Sequence, residues 1–449
     1  MDKDTRKIRS AFRRCKSMLI LLLAALAIYL TGQLWFVHLA NRNFFLDIVE
    51  RFNPSISEGY REFVRPMRMV YGSGNGRFEI IYSGLMDNDA RRYFDTVLTE
   101  LFARGVFVGE GETDYNRLLT RPVVIYEHAF WVPSDIFPLG FNQRTGTFLI
   151  GRGIDEFIAV AIWPPYGDDT DLRVFFIGDG VFWEFIVDSP GSALHLPIHH
   201  VSAASFHHVS AVLEGYEDLP PWAFVPRPGE LGRAPFFPVI VTNPYLNHIG
   251  ERTLPNIRIQ VAHFFDNPAA IMQRVAGDAI WTFSTNHATV RYFYTDVLEF
   301  SSFRPRRRNI TSSFLEDFSV AWSFALDDYH VINEFYLTGY EPRGAGYVFW
   351  FGYIIDNFPI IMPIDGWSVS SQEDILLAPI EVIVEQGRVV RYRRIVHNFR
   401  HDLDHEPVWL DFDLDNLLMG LDGEIENIIL GYPMRSQEEL RLEWIVISD

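Results

Sequence analysis

The sequence predicts an α+β fold: one N-terminal transmembrane helix followed by an extracytoplasmic multidomain region of antiparallel sheets with packed helices. Three observations predict it. Met18 to Ala40 forms an apolar run without a single Asp, Glu, Lys or Arg. Asp87 to Gly105 carries an apolar stripe with helical period. From there on, β-branched and aromatic runs alternate with Gly, Asp and Asn turns, the pattern of strands joined by hairpins.

Residues 1–17 hold seven Lys or Arg against two Asp, a net of +5, which leaves −24 for the rest of a chain whose total is −19. This basic head precedes the uncharged run 18–40, whose 23 residues reach about 34 Å as a helix, enough for a hydrocarbon core of about 30 Å. Basic residues before the span place the N-terminus in the cytoplasm and the bulk of the chain outside it. A cleaved leader would have a shorter apolar core and a small-x-small exit, whereas Leu34-Trp35-Phe36 closes this one. Ala24, Ala27 and Thr31, with Gly32 beside them, put small residues on one face, which suits close approach of a second helix in lipid. These four are the candidate partner-contact residues.

Residues 41–65 read as a stalk between Pro54 and Pro66. The first extracytoplasmic domain, 66–225, opens with a hairpin from Met67–Tyr71 and Phe78–Tyr82 around Gly72-Ser73-Gly74-Asn75-Gly76. Its helix, Asp87–Gly105, has a capping Asp or Asn, the stripe Phe94, Val97, Leu98, Leu101 and Phe102, and a Gly stop. Strands follow at Val123–Tyr126, Phe157–Ile162, Leu172–Ile177 and Val181–Val187. Prolines between 220 and 238 mark a boundary to a middle domain, 226–310, with a helix from Asn267-Pro268 and strands at Ala279–Ser284 and Thr289–Tyr294. The C-terminal domain, 311–449, has a helix near Ser313–Ala325 and paired strands at Gly346–Ile355, Pro359–Pro363, Pro379–Glu385 and Arg388–Ile395. It finishes with a short helix near Asp415–Gly420 and strands Ile425–Leu430 and Leu440–Ile447.

Composition excludes several chemistries. An acidic chain is a poor partner for nucleic acid, which needs clustered Lys and Arg. The only cysteine, Cys15, lies in the head, so the exterior has no disulfide, thiol nucleophile or Cys-ligated zinc. Its positive charge is all Arg, since the three lysines are Lys3, Lys7 and Lys16; Schiff bases, Ser–Lys pairs and P-loops are thereby ruled out. Imidazole-rich stretches occur at His195, His199, His200, His207 and His208, and at His397, His401 and His405 with Asp402, Asp404 and Glu406. Both read more simply as solvated or capping groups than as metal ligands. Asp411-Phe412-Asp413-Leu414-Asp415 begins like a calcium loop, but Asn416 and Asp422 stand where Gly and Glu are required. Arg304–Arg308 reads as a solvated linker. No cofactor, metal or catalytic residue is expected, and the chain is read as a non-enzyme.

Several segments carry a family resemblance. Tyr29-Leu30-Thr31-Gly32-Gln33-Leu34-Trp35-Phe36 is similar to a span exit, and Phe264-Phe265-Asp266-Asn267-Pro268 followed by Thr282–Tyr294 to a short helix and hairpin. Phe351–Pro359, Ile380–Arg394 and Leu430-Gly431-Tyr432-Pro433 with Glu443-Trp444 complete the set. Together they resemble the YycH/YycI family of membrane-anchored regulators of low-GC Gram-positive bacteria. Thr285-Asn286, Asn357 and Leu442 depart from the pattern, where Asp-Gly, Gly and Pro are usual. The resemblance implies partnership with a WalK-type sensor histidine kinase of the cell-wall WalK/WalR two-component system and with a YycI-like protein, at the cell membrane. The rival expectation is an anchored module that binds peptidoglycan or another wall polymer. A hydrolase using an unrecognised carboxylate pair is the weakest of the three.

Overall fold

A computed structural model describes residues 65–82, 88–112, 114–141, 147–167, 170–187, 208–210, 219, 223–226, 237–246, 253–276, 280–303, 313–328, 334–355, 358–363, 366–368, 375–402, 405–406, 417, 425–434 and 439–448. The head, the apolar run and residues 41–64 of the stalk lie outside these.

The first sheet has nine strands: β1 (Arg68–Ser73), β2 (Phe78–Tyr82), β3 (Val106–Glu112), β4 (Pro122–Pro133), β5 (Glu156–Trp163), β6 (Leu172–Ile177), β7 (Val181–Val187), β8 (His208–Ser210) and β9 (Phe224–Pro226). Their order is β3-β7-β6-β5-β4-β1-β2-β8-β9, antiparallel throughout. One face takes helix α1 (Asn88–Arg104), whose Phe94, Val97, Leu98, Leu101 and Phe102 are buried. Phe94 and Phe102 meet Phe137 edge-on, which in turn packs on Phe157 and Phe176. The opposite face has a smaller core under the short helix α2 (Tyr115–Leu119), with Val123, Ile125, Ala161, Trp163 and Phe175. A further short helix, α3 (Thr147–Ile150), precedes β5.

A second sheet gathers residues 272–448. After β10 (Val239–Thr242) and helix α4 (Leu254–Val261) come β11 (Met272–Ala276), β12 (Ile280–Ser284), β13 (Ala288–Phe293) and β14 (Val297–Ser302), a run of hairpins. Helix α5 (Phe314–Asp327) leads to β15 (Glu334–Arg343), β16 (Gly346–Ile355), β17 (Phe358–Ile361), β18 (Trp367–Ser368), β19 (Ile375–Leu376), β20 (Ile380–Glu385), β21 (Val389–Ile395), β22 (Asn398–His401), β23 (Ile425–Pro433), β24 (Glu439–Leu440) and β25 (Glu443–Ser448). Eleven of these strands form one sheet ordered β11-β12-β13-β14-β21-β20-β16-β17-β23-β25, with β15 on β16. The pairing β17–β23 is parallel. The pairing of β14 with β21 unites the segments on either side of residue 310 in one sheet. Smaller sheets are β22-β10-β24 and β18-β19.

Helix α5 begins at a capping box: Ser313 Oγ accepts from the Glu316 N–H, and Glu316 accepts from the Ser313 N–H. Its Leu315, Phe318, Ala321 and Ala325 are buried, and it lies across β16, β20 and β21. Phe130 of β4 meets Tyr340 of β15 edge-on at 5.8 Å, and Arg65 lies 3.6 Å from Glu334, so the two large sheets share a boundary.

The expected α+β class with a leading membrane helix is corrected. The described residues are 53% strand against 21% helical, and no helix among them is long and apolar enough to cross a membrane. The physical reason lies in the connections: most of the β-rich runs pair with the strand next in sequence, leaving few segments free to coil. The helix expected from Asn267-Pro268 shows this. Asn267 caps the Ala269 N–H, but the turn Pro268–Ala270 stops after three residues because Ile271 is extended and feeds β11.

Candidate functional site

Seen across the second sheet, one row of side chains stands in register on seven strands. It runs Arg274, Thr282, Arg291, Glu299, Arg393, Glu381 and Trp350, from β11 to β16. Arg393 grips Glu381 through two hydrogen bonds of 2.8 Å. Glu299 accepts from Arg391 at 2.9 Å and from Arg291 at 3.3 Å. The inner members are buried, whereas the Arg291 side chain keeps 52% of its surface.

On the α5 side lies a fully buried polar centre. Asp328, which caps the C-terminus of α5, sits 2.6 Å from Arg394 and accepts from the Tyr392 hydroxyl at 3.1 Å. His263 Nε2 lies 3.3 Å from its other oxygen. Burial alone would lower the Arg394 guanidinium, but Asp328 with Tyr392, Tyr245 and Tyr353 together outweigh it and push it up. Burial, reinforced by Asp328, pushes the Tyr392 phenol far up. A second knot is built at the tight turn between β13 and β14, where Asp296 has φ +61°, a conformation Asp tolerates. Asp296 accepts from Tyr292 at 2.6 Å and lies 3.5 Å from His397, while Tyr292 accepts from Asn243.

These contacts decide what the interior can do. The buried acids Glu127, Glu184, Asp296, Glu299, Asp317, Asp328, Glu381 and Asp402 are each engaged by Arg, Tyr, His or a backbone N–H. A carboxylate held this way has its oxygens taken up by donors of the fold. These contacts hold the interior together, and two clefts open to the surface among the described residues.

The larger, about 570 Å³, opens between α5, the turn 386–388 and the segment 264–270. Phe264, Phe300 and Phe324 pack together in its wall at 5.2–6.1 Å. Asp266, Asn267, Thr285, Asn286, His287 and Arg388 supply its polar groups. The smaller, about 320 Å³, lies on the minor-core face of the first sheet, among Tyr115, Ile125, Glu127, Trp131, Asp179 and Phe224. Arg68 holds Glu127 there with a two-point contact of 2.8 and 3.1 Å. Burial pushes the Tyr115 phenol up, with Glu127 and Asp179 adding to it.

The residues singled out in the sequence fall unevenly on this framework. Ala24, Ala27, Thr31 and Gly32, the imidazoles at 195, 199, 200 and 207, Arg304–Arg308 and Asp411–Asp415 lie outside the described residues. His208 is in β8 opposite Phe78. His397 and His405 are drawn to different acids, Asp296 and Asp402, and His401 pairs with Val239 in a third place. Among the described residues no group of three or more His, Cys, Asp or Glu is placed to hold a metal ion. Sequence reasoning missed the Asp328–Arg394 centre. The signal was Arg391-Tyr392-Arg393-Arg394 inside an otherwise apolar strand, where such residues demand buried partners.

Comparison with family models, with curated proteins and with solved structures finds no match for this chain.

Proposed function

We propose that the chain is a non-enzymatic, membrane-attached regulator of a WalK-type sensor histidine kinase, acting from outside the cytoplasm together with a YycI-like protein. The observation that carries this reading is a coincidence of place. Phe264–Asn267, which contribute to the YycH/YycI resemblance, also line the larger cleft. Aromatic walls with a polar rim suit a protein surface, which contributes large apolar side chains and a few hydrogen bonds. The uncharged run 18–40 behind a basic head supports attachment to the membrane, and its small residues Ala24, Ala27, Thr31 and Gly32 support contact with a partner there.

The test is co-purification of the C-terminally tagged full chain from mild detergent, beside a version with 18–40 replaced by an unrelated apolar sequence. A sensor kinase and a smaller YycI-like protein retained by the first and lost by the second is the expected result. Retention of neither by the unaltered chain overturns the proposal.

A second reading, attachment to peptidoglycan or another wall polymer, is favoured by the smaller cleft. Trp131, 40% exposed, lines it with Asp179 and the buried Tyr115, an aromatic and acidic lining suited to sugars. Sedimentation of the full chain with purified walls, lost in Trp131→Ala, would move the function there.

A further inference from the structure

We infer that the open edge of β11 receives an extended, acidic segment of a partner protein, added as the next strand of the second sheet. The inference goes beyond the regulatory role and does not depend on it. β11 is the outermost strand on its side among the described residues, and residues 272–275 are exposed, with Met272 at 62% and Val275 at 45%. An unpaired edge is a template for another chain, and natural sheets blunt theirs with proline, bulges or charge. The first sheet does so: β3 has a register break at Phe107/Gly109, two glycines and two glutamates, and β9 ends in Pro226. By contrast β11 has no proline and keeps unbroken register with β12 over five pairs.

Charge tells what the edge would accept. The cross-sheet row alternates in its interior, Glu381 to Arg393 to Glu299 to Arg291, and then meets Thr282 and ends on Arg274. Glu299 is already shared by Arg291 and Arg391, so the outer end is left cationic in a chain whose net charge is −19. No ion pair is formed by Arg274 among the described residues. A carboxylate on an incoming strand, about 4.8 Å beyond Arg274, would resume the alternation. On the other face, the exposed Val275 calls for an apolar residue at the neighbouring position. The ligand is therefore a strand alternating acidic and apolar side chains. A second copy is disfavoured, because two-fold antiparallel pairing about the middle of β11 sets Arg274 against Arg274.

The probe is a short labelled peptide alternating Glu and Val, compared with one alternating Lys and Val, both added to the full-length chain in detergent micelles. Binding is followed by fluorescence anisotropy, and hydrogen exchange follows the outward amides of 272–276. The Glu–Val peptide is expected to bind about five-fold or more tighter than its Lys–Val counterpart and to slow those amides. Arg274→Glu is expected to reverse the preference, and the gain with Lys–Val shows that the variant is folded. Equal binding of both peptides overturns the inference, as does binding that leaves the amides unprotected. Amides already slow in the free chain would mean that the protein covers its own edge. Protection that grows with protein concentration alone would assign the edge to a second copy. Either result overturns it too.

Discussion

Asp328 and Arg394 are both shut off from solvent and meet at 2.6 Å, joining the end of α5 to the end of β21. Removing one partner leaves a buried charge without compensation. Asp328→Ala is expected to lower stability by about 3–5 kcal/mol, and Arg394→Met by a comparable amount. The double variant Asp328→Leu/Arg394→Met should be less destabilised than either single one. Urea unfolding followed by tryptophan fluorescence checks all three.

His128 gives the fold a pH dependence. Its ring is buried edge-on to Phe137 and Phe157, and burial lowers its pKa from 6.5 to about 3. The unfolded chain takes up a proton near 6.5 while the folded one resists until about 3. Stability therefore falls as pH drops through that window, at up to about 1.4 kcal/mol per unit. His128→Leu should flatten this part of the curve, measured by urea unfolding between pH 7 and 4.

Ser313→Ala removes one half of the capping box on α5. A loss of about 1 kcal/mol is expected, with an unchanged circular dichroism spectrum at low denaturant.

The hairpin β20–β21 turns through Gln386 and Gly387, with φ +53° and +70°, between reciprocal hydrogen bonds of Glu385 and Arg388. That geometry favours Asn or Gly at the first position. Gln386→Asn should raise stability by about 0.5–1 kcal/mol, read as a higher unfolding midpoint.

Gly346 faces the opposite constraint. A Cβ there would stand 1.9 Å from the Val384 carbonyl oxygen, so β16 and β20 could not close in register. Gly346→Ala is expected to cost about 4 kcal/mol or more, at the upper end for a point substitution.

The local elements were legible where pattern and punctuation agree. Phe94, Val97, Leu98, Leu101 and Phe102 mark α1, and Ser313 with Glu316 opens α5, because stripe and cap act within a few residues. The hairpin of β12 and β13 reads from its turn, whereas β11 follows where a helix was expected and β14 was not foreseen. What could not be read was the joining of β14 to β21, since that depends on which distant edge is free. The polar centre was hidden for the same reason: Asp328, Arg394 and His263 come from three segments, and only the sheet order brings them together.

The row that crosses the second sheet also bears on how the chain is made. Glu299 must wait for Arg391, which lies 92 residues further on. At ribosomal speed, roughly 5–20 residues per second, β14 spends about 5–20 s as an uncovered edge. An apolar strand in that position would invite a neighbouring nascent chain. A carboxylate on its inner face makes such pairing costly until the right arginine arrives. The ion pair that is buried in the finished sheet thus works earlier as a guard, discharged only by the strand for which the place is kept.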